Sequence, residues 1–226
     1  MYGEAPLPRG VAMQTFDPTS DTPHTSHRQG AKNLPVELTS GTDYPRLATR
    51  RFEFRPFMLS DVGRLATLAG EHRVADTTIG IPHPYTTEFA RMWISSHSSA
   101  QQRCLGLHWA ALKLGDDRIV GYVGLDKIDV ERHQAELRFW VGCGVQRARD
   151  AIEWSKAIVN YALSRLNMER IYALQLARHP LAGRVLATIG MRQEGLVRKR
   201  IFNGGLMEDL VCWATLRRDS RQTPES

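Results

Sequence analysis

The chain has 226 residues and a mass of 25.5 kDa, room for one domain with a sizeable core and some additional sequence. Its hydrophobic fraction of 42% fits a globular protein, and no apolar run is long enough to span a membrane or to form a signal-peptide core. A net charge of +6 and a pI near 9.5 favour acidic ligands such as phosphates, ribosomes or nucleic acid, but charge governs encounter rather than fold.

Residues 1 to about 50 carry six prolines, many Ser and Thr and little apolar periodicity, which predicts a flexible tail. Phe52 to Phe57 begins the domain as a strand. Ser60 is a candidate N-cap for a helix bearing Val62, Leu65, Ala66 and Leu68. Ile79 to Tyr85 is a proline-rich loop, followed by a helix with Phe89, Met92, Trp93 and His97 on related turns. Trp109 to Leu114 and Ile119 to Leu125 form a hairpin about the turn residues Gly115, Asp116, Asp117 and Arg118, and Asp126 to Gln134 reads as a connection.

Ala135 to Val141 is the central strand. Side chains two apart share a face, so Glu136, Arg138 and Trp140 point one way and Leu137, Phe139 and Val141 the other. From Ala151 the period becomes helical, with Ala151, Trp154, Ile158, Tyr161 and Ala162 on one side. Asp150 with Glu153 reads as an acidic capping box at the start of that helix. Arg170 to Leu176 is a buried strand. Pro180 suits the first turn of a helix with Val185, Leu186 and Ile189, which Gly190 ends in the left-handed conformation. Met191 to Phe202 and Leu206 to Leu216 form a hairpin about Asn203, Gly204 and Gly205, and 217–226 is a polar tail.

A strand feeding a loop that opens a helix is a common anion site, because free amides and the positive end of the helix dipole converge there. Four separated blocks sharpen this: FEFRPFMLSDVGRL, IPHPYTTEFARMWI, RIVGYVGLDKIDVERHQAELRFWVG and RVLATIGMRQEGLVRKRIFNGGLMEDLVCWATL. In this order, from about Phe52 to Leu216, the chain resembles the GNAT superfamily of acetyl-CoA-dependent N-acetyltransferases, in particular its ribosomal-protein N-terminal acetyltransferase branch. The resemblance implies an α/β (α+β) fold whose central mixed, largely antiparallel sheet is flanked by helices. It also implies acetyl-CoA as co-substrate and a peptide or small-molecule amine as acceptor.

Carried over residue by residue, the family's pyrophosphate loop, Q/R-x-x-G-x-G/A, falls on Gln146, Arg147, Ala148, Arg149, Asp150 and Ala151. Gln146 and Ala151 conform, while Arg149 replaces the first glycine and either blocks the cradle or, with Arg147, holds diphosphate by charge-assisted bonds. Trp140, Val141 and Gly142 follow as cofactor contacts, with the amide of Val141 or Gly142 as oxyanion donor where the family's central strand splays open. Glu136 is the candidate base, although Arg138 on the same face makes a carboxylate a poorer one. The family's N-x-x-S becomes His179, Pro180, Leu181 and Ala182, so His179 is left as candidate acid, with Tyr161 and Tyr172 as further donors. His83 and Tyr85 of the IPHPY loop are candidate acceptor contacts.

The departures at Arg138, Arg149, His179 and Ala182 also allow a non-catalytic binding module on the same scaffold. A basic ribosome- or RNA-associated protein is a third reading. The arginines are spread in ones and twos, so a solvated basic surface explains them before a nucleic-acid footprint does. Cys104, Cys143 and Cys212 lack paired metal or redox spacing, which points to reduced thiols in the cytoplasm and to no metal site.

Overall fold

The computed structural model describes residues 44–142, 147–203 and 205–220. Eight strands form one sheet: β1 (Leu47–Ala48), β2 (Phe52–Pro56), β3 (Leu107–Lys113), β4 (Ile119–Asp129), β5 (Gln134–Val141), β6 (Arg170–Leu176), β7 (Arg192–Asn203) and β8 (Leu206–Leu216). Their order is β1-β2-β3-β4-β5-β6-β8-β7, and every neighbouring pair is antiparallel except β5 and β6. A parallel pair needs a crossover, and here it is the 18-residue helix that follows β5.

The helices are α1 (Val62–Ala69), α2 (His72–Thr77), α3 (Thr87–Gln102), α4 (Arg147–Ser164), α5 (Pro180–Thr188) and the short α6 (Arg217–Ser220). Strand alternation divides the apolar residues between two layers. On one face Phe52, Phe54, Trp109, Leu125 and Leu137 pack on Trp154, Ile158 and Ala162 of α4. On the other, Ala110, Leu112, Ile119, Tyr122 and Trp140 meet Leu65 and Leu68 of α1 and Ala90 and Ile94 of α3. Glu136 and Arg138 share parity with Trp140, so they face the α1–α3 layer.

Several boundaries differ from those read in the sequence. Tyr44 to Arg50, expected within the tail, carries β1, and Trp109 Nε1 donates to the Pro45 carbonyl at 2.7 Å. Ser60 lies inside a 3₁₀ turn, Leu59–Asp61; Asp61 is the residue that organises it, accepting the Met58 amide at 2.8 Å and pairing with Arg55 at 2.7 Å. β4 runs on to Asp129, so Asp126 belongs to a strand rather than a connection. Pro180 does open α5, and Gly190 follows it with φ +91°. Residues 217–220 of the expected C-terminal tail form α6.

Helix α4 starts at Arg147 rather than Ala151, which places Asp150 inside the first turn. Asp150 and Glu153 therefore form no capping box. Both carboxylates instead hold Arg51, with Asp150 Oδ1 2.7 Å from Nη1 and Glu153 Oε2 2.6 Å from Nη2. Glu153 also accepts the Thr49 hydroxyl at 2.6 Å. The start of β2 is thus clamped to the start of α4.

Candidate functional site

The parallel ladder between β5 and β6 is short. It pairs Gln134 with Arg170, Ala135 with Ile171 and Glu136 with Tyr172, and there it stops, although β5 continues to Val141 and β6 to Leu176. Beyond Glu136 the two strands part. The amide of Gly142 donates to Val120 on β4 at 3.0 Å, so even-numbered residues of β5 turn their backbone groups toward β4. By alternation the amides of Phe139 and Val141 face the parted side. Gly142 itself is a packing glycine: a Cβ there would lie 2.7 Å from Leu68 Cδ2 and 3.0 Å from the Val120 carbonyl. Of the two expected oxyanion donors, Val141 turns its amide to the parted side and Gly142 is already engaged. Trp140 is buried against Tyr122, ring centroids 6.2 Å apart, in the α1–α3 layer, and its backbone faces β4.

The first turn of α4 begins five residues beyond Gly142 in the chain. Amides in the first turn of a helix lack intrahelical acceptors, and here they belong to Arg147, Ala148 and Arg149. Ala148 and Arg149 are exposed, while Asp150 and Ala151 are buried. Asp150 is committed to Arg51 and does not occupy the helix end as a cap. Gln146 and Cys143 lie outside the described residues, as does the Arg147 side chain.

Glu136 is 5% exposed. Lys127 Nζ stands 3.1 Å from its Oε2 but out of line for a hydrogen bond, so this buried oxygen accepts none from the described residues. Arg138 Nε is 3.9 Å from Oε1. The Arg138 guanidinium is directed elsewhere: Nη1 lies 3.3 Å from Asp126 Oδ2, and Nη2 donates to the Ile79 carbonyl in the loop after α2. Tyr172 stands opposite Glu136 in the ladder and shares its face. Burial first, and then the Glu136 charge, push its phenol up to about 12. Tyr161 lies on the opposite side of the sheet, edge-on to Trp109.

Behind Asp126 lies a buried ring cluster that the sequence did not single out. His108 Nε2 is 3.5 Å from Asp126 Oδ1, and His108 Nδ1 is 3.0 Å from the Tyr122 hydroxyl. His97 stacks on His108 with centroids 4.2 Å apart, and neither of its ring nitrogens has a hydrogen bond from the described residues. Burial, and next the neighbouring His108, hold the His97 imidazole well below its usual pKa; burial also lowers that of His108. A histidine depressed in the fold takes up protons only in the unfolded chain as pH falls below about 6.5, so stability drops there. With its pKa held well below that range, His97 should cost about 1.4 kcal/mol between pH 7.5 and 5.5. Denaturant unfolding at the two pH values should show this part of the loss removed by His97→Phe. At pH 7.5 the variant should be no less stable, since it removes two unsatisfied nitrogens.

The remaining predicted residues are scattered. His179 precedes α5 but makes no side-chain cap; Arg178 Nη1 donates to its Nε2, and Asp76 of α2 lies 3.4 Å from the same nitrogen. Asp76 also pairs with Arg178, at 2.9 Å. His83 is exposed, its ring 6.0 Å from that of His72. Tyr85 packs on Phe89 at 5.0 Å, and burial raises its pKa. The loop reaches the site through the Ile79 carbonyl rather than through either ring. Sequence reasoning missed Asp126, Lys127 and His108; the alternation Tyr122, Gly124, Asp126 continues past Leu125 and would have extended the strand. Among the described residues no cluster of His, Cys, Asp and Glu could hold a metal ion, and no helix is long and apolar enough to cross a membrane.

A family model described as an acetyltransferase (GNAT) domain matches residues 51–192. The chain belongs to the GNAT acetyltransferase family. Probable N-acetyltransferase YjcK of Bacillus subtilis (strain 168) is 28% identical over 142 residues, which cover 61% of this chain and 77% of that protein. The crystal structure of ribosomal-protein-S5-alanine acetyltransferase from Vibrio fischeri matches with a TM-score of 0.69 at 18% identity, covering 77% of this chain and 98% of that one. Mycobacterium smegmatis RimJ in complex with CoA-disulfide matches with a TM-score of 0.68 at 17% identity, covering 77% and 85%. These two likenesses show the fold. For a GNAT domain, acetyl-CoA is the co-substrate to test. The parted β5 and β6, with strand-edge amides facing the gap, and the N-terminal turn of an 18-residue helix fit an extended thioester arm ending in phosphates.

Proposed function

We propose that this GNAT domain is an N-acetyltransferase that moves acetyl from acetyl-CoA to a primary amine by direct attack in a ternary complex. The observation that carries the reading is the Glu136 carboxylate: it is buried, its Oε2 accepts no hydrogen bond from the described residues, and it sits where β5 leaves β6. Lys127 Nζ, 3.1 Å away on an exposed side chain, offsets the charge of that oxygen, and a ligand or water can still donate a hydrogen bond to it. The amides of Arg147, Ala148 and Arg149, with the Arg149 side chain, are suited to the diphosphate. When bound, acetyl-CoA supplies an acetyl thioester as the electrophile. Glu136 removes the amine proton, directly or through water, and the Val141 amide is suited to stabilise oxyanion charge. Tyr172, a phenol still protonated at neutral pH and on the same face, is favoured over His179 as the proton source for the departing thiolate. The acceptor class is a protein N-terminus, a polyamine or a small aminated compound, and sparse unpaired cysteines fit a cytoplasmic setting.

A second reading is a GNAT scaffold that has lost acetyl-CoA. It is motivated by Arg149 in place of the loop glycine and by the engagement of His179 with Arg178. Calorimetric titration with acetyl-CoA separates the two. A Kd on the order of micromolar for the natural chain, changed less than about tenfold by Arg149→Gly, supports the transferase. No heat with the natural chain and binding by Arg149→Gly supports the scaffold.

A further inference from the structure

We infer that Asp126 is a positioning residue whose task is to keep Arg138 off Glu136. Arg138 and Glu136 are two apart on one strand face, the arrangement in which a guanidinium would ordinarily close on the carboxylate. It does not close: Nε stays 3.9 Å from Glu136 Oε1, while Nη1 reaches Asp126 Oδ2 at 3.3 Å and Nη2 donates to the Ile79 carbonyl. Asp126 is the cross-strand partner of Glu136, so it offers Arg138 a competing negative charge from the neighbouring strand.

The carboxylate of Asp126 is itself held. Its Oδ1 lies 3.5 Å from His108 Nε2, and the other ring nitrogen meets the Tyr122 hydroxyl at 3.0 Å. With Tyr122 donating to Nδ1, the His108 proton resides on Nε2 and points toward Asp126. His108 is neutral at neutral pH, so it orients Asp126 without cancelling its charge. Gly124 between them leaves room for the arrangement, because a Cβ there would lie 2.6 Å from Tyr122 Oη. The result is a chain of contacts, Tyr122 to His108 to Asp126 to Arg138, that draws the guanidinium away and leaves Lys127 Nζ, on an exposed side chain 3.1 Å from Oε2, as the cation nearest Glu136.

The kinetic part of this inference rests on the acetyltransferase reading; the structural part does not. Asp126→Asn removes the charge but keeps an oxygen for His108 Nε2. A crystal structure of that variant should find Arg138 paired with Glu136 at about 3 Å. With acetyl-CoA and an acceptor amine, kcat should fall about 10- to 100-fold while the KM for acetyl-CoA stays within about twofold. Adding Arg138→Gln should restore kcat to within about threefold of the natural enzyme, since the competing cation is gone. Asp126→Glu keeps the charge and should retain most of the activity, which guards against misfolding of the Asn variant. Arg138 unmoved in the variant crystal, or a double variant no better than Asp126→Asn alone, overturns the inference. If the natural chain acetylates no amine, the transferase reading fails, and the position of Arg138 in the crystal still decides the inference.

Discussion

Replacing Glu136 by glutamine should lower kcat about 100- to 1,000-fold in acetyl transfer, while calorimetry finds acetyl-CoA affinity within about twofold of the natural chain. The substitution conserves shape and one oxygen but cannot accept the amine proton. Glu136 is 5% exposed and sits at the last rung of the β5–β6 ladder, on the face away from α4. Only the α4 end of the site is assigned to the diphosphate, so the carboxylate acts on the acceptor. A variant that loses acetyl-CoA affinity and keeps its turnover would contradict that assignment. Unchanged kcat would remove Glu136 as the base and turn attention to water held by the Val141 edge.

The layered fold was largely legible because its elements obey simple periods. Alternation over Ala135 to Val141 assigned Glu136 and Arg138 to one face, and the strands and helices found at Arg170–Leu176 and after Pro180 match their local signals. The failures share a cause, which is that long-range partners decided them. Asp150 and Glu153 look like a capping box locally, but Arg51, about a hundred residues earlier, claims both carboxylates and the helix starts sooner. Tyr44 to Arg50 has no apolar period, yet β1 pairs with β2 and Trp109 bonds the Pro45 carbonyl.

The candidate site was suggested in outline by the family motif, and its electrostatics were illegible. Sequence spacing placed Arg138 beside Glu136 and so implied a quenched base. It could not show that Asp126, eleven places before Leu137 in the chain but adjacent across the sheet, draws the guanidinium away. Nor could it show that pairing between β5 and β6 ends at Glu136, since Leu137 to Val141 remain good strand formers on their own. The same limit applies to His97 and His108, the eleventh residue of α3 and the second of β3, whose stacking exists only once α3 lies on β3.

Removing the Arg51 guanidinium, as in Arg51→Met, should lower stability by about 3 kcal/mol, or about 6–10 °C in Tm. The Asp150 side chain is 3% exposed, and its cation is 2.7 Å away. Without that cation the buried carboxylate is unpaired and faces Glu153 one turn on. The lower end of the range for a broken buried pair applies, because the Arg51 side chain is 30% exposed and water can replace part of the interaction. Denaturant unfolding checks the figure, and Arg51→Met in an Asp150→Asn, Glu153→Gln background should cost under about 1 kcal/mol if the pairing is the cause. Acid sensitivity provides an independent sign. Burial raises the Glu153 pKa, but the hydrogen bonds from Thr49 and Arg51 outweigh it and hold the carboxyl below its usual value. Its contribution is therefore complete above about pH 4.5 and lost as pH falls through the folded value. The stability gap between the natural chain and Arg51→Met should accordingly be widest near neutrality and narrow below that pH. A gap that is independent of pH would mean the loss comes from the packing of the Arg51 stem on Phe52, where the guanidinium carbon lies 5.0 Å from the ring centroid.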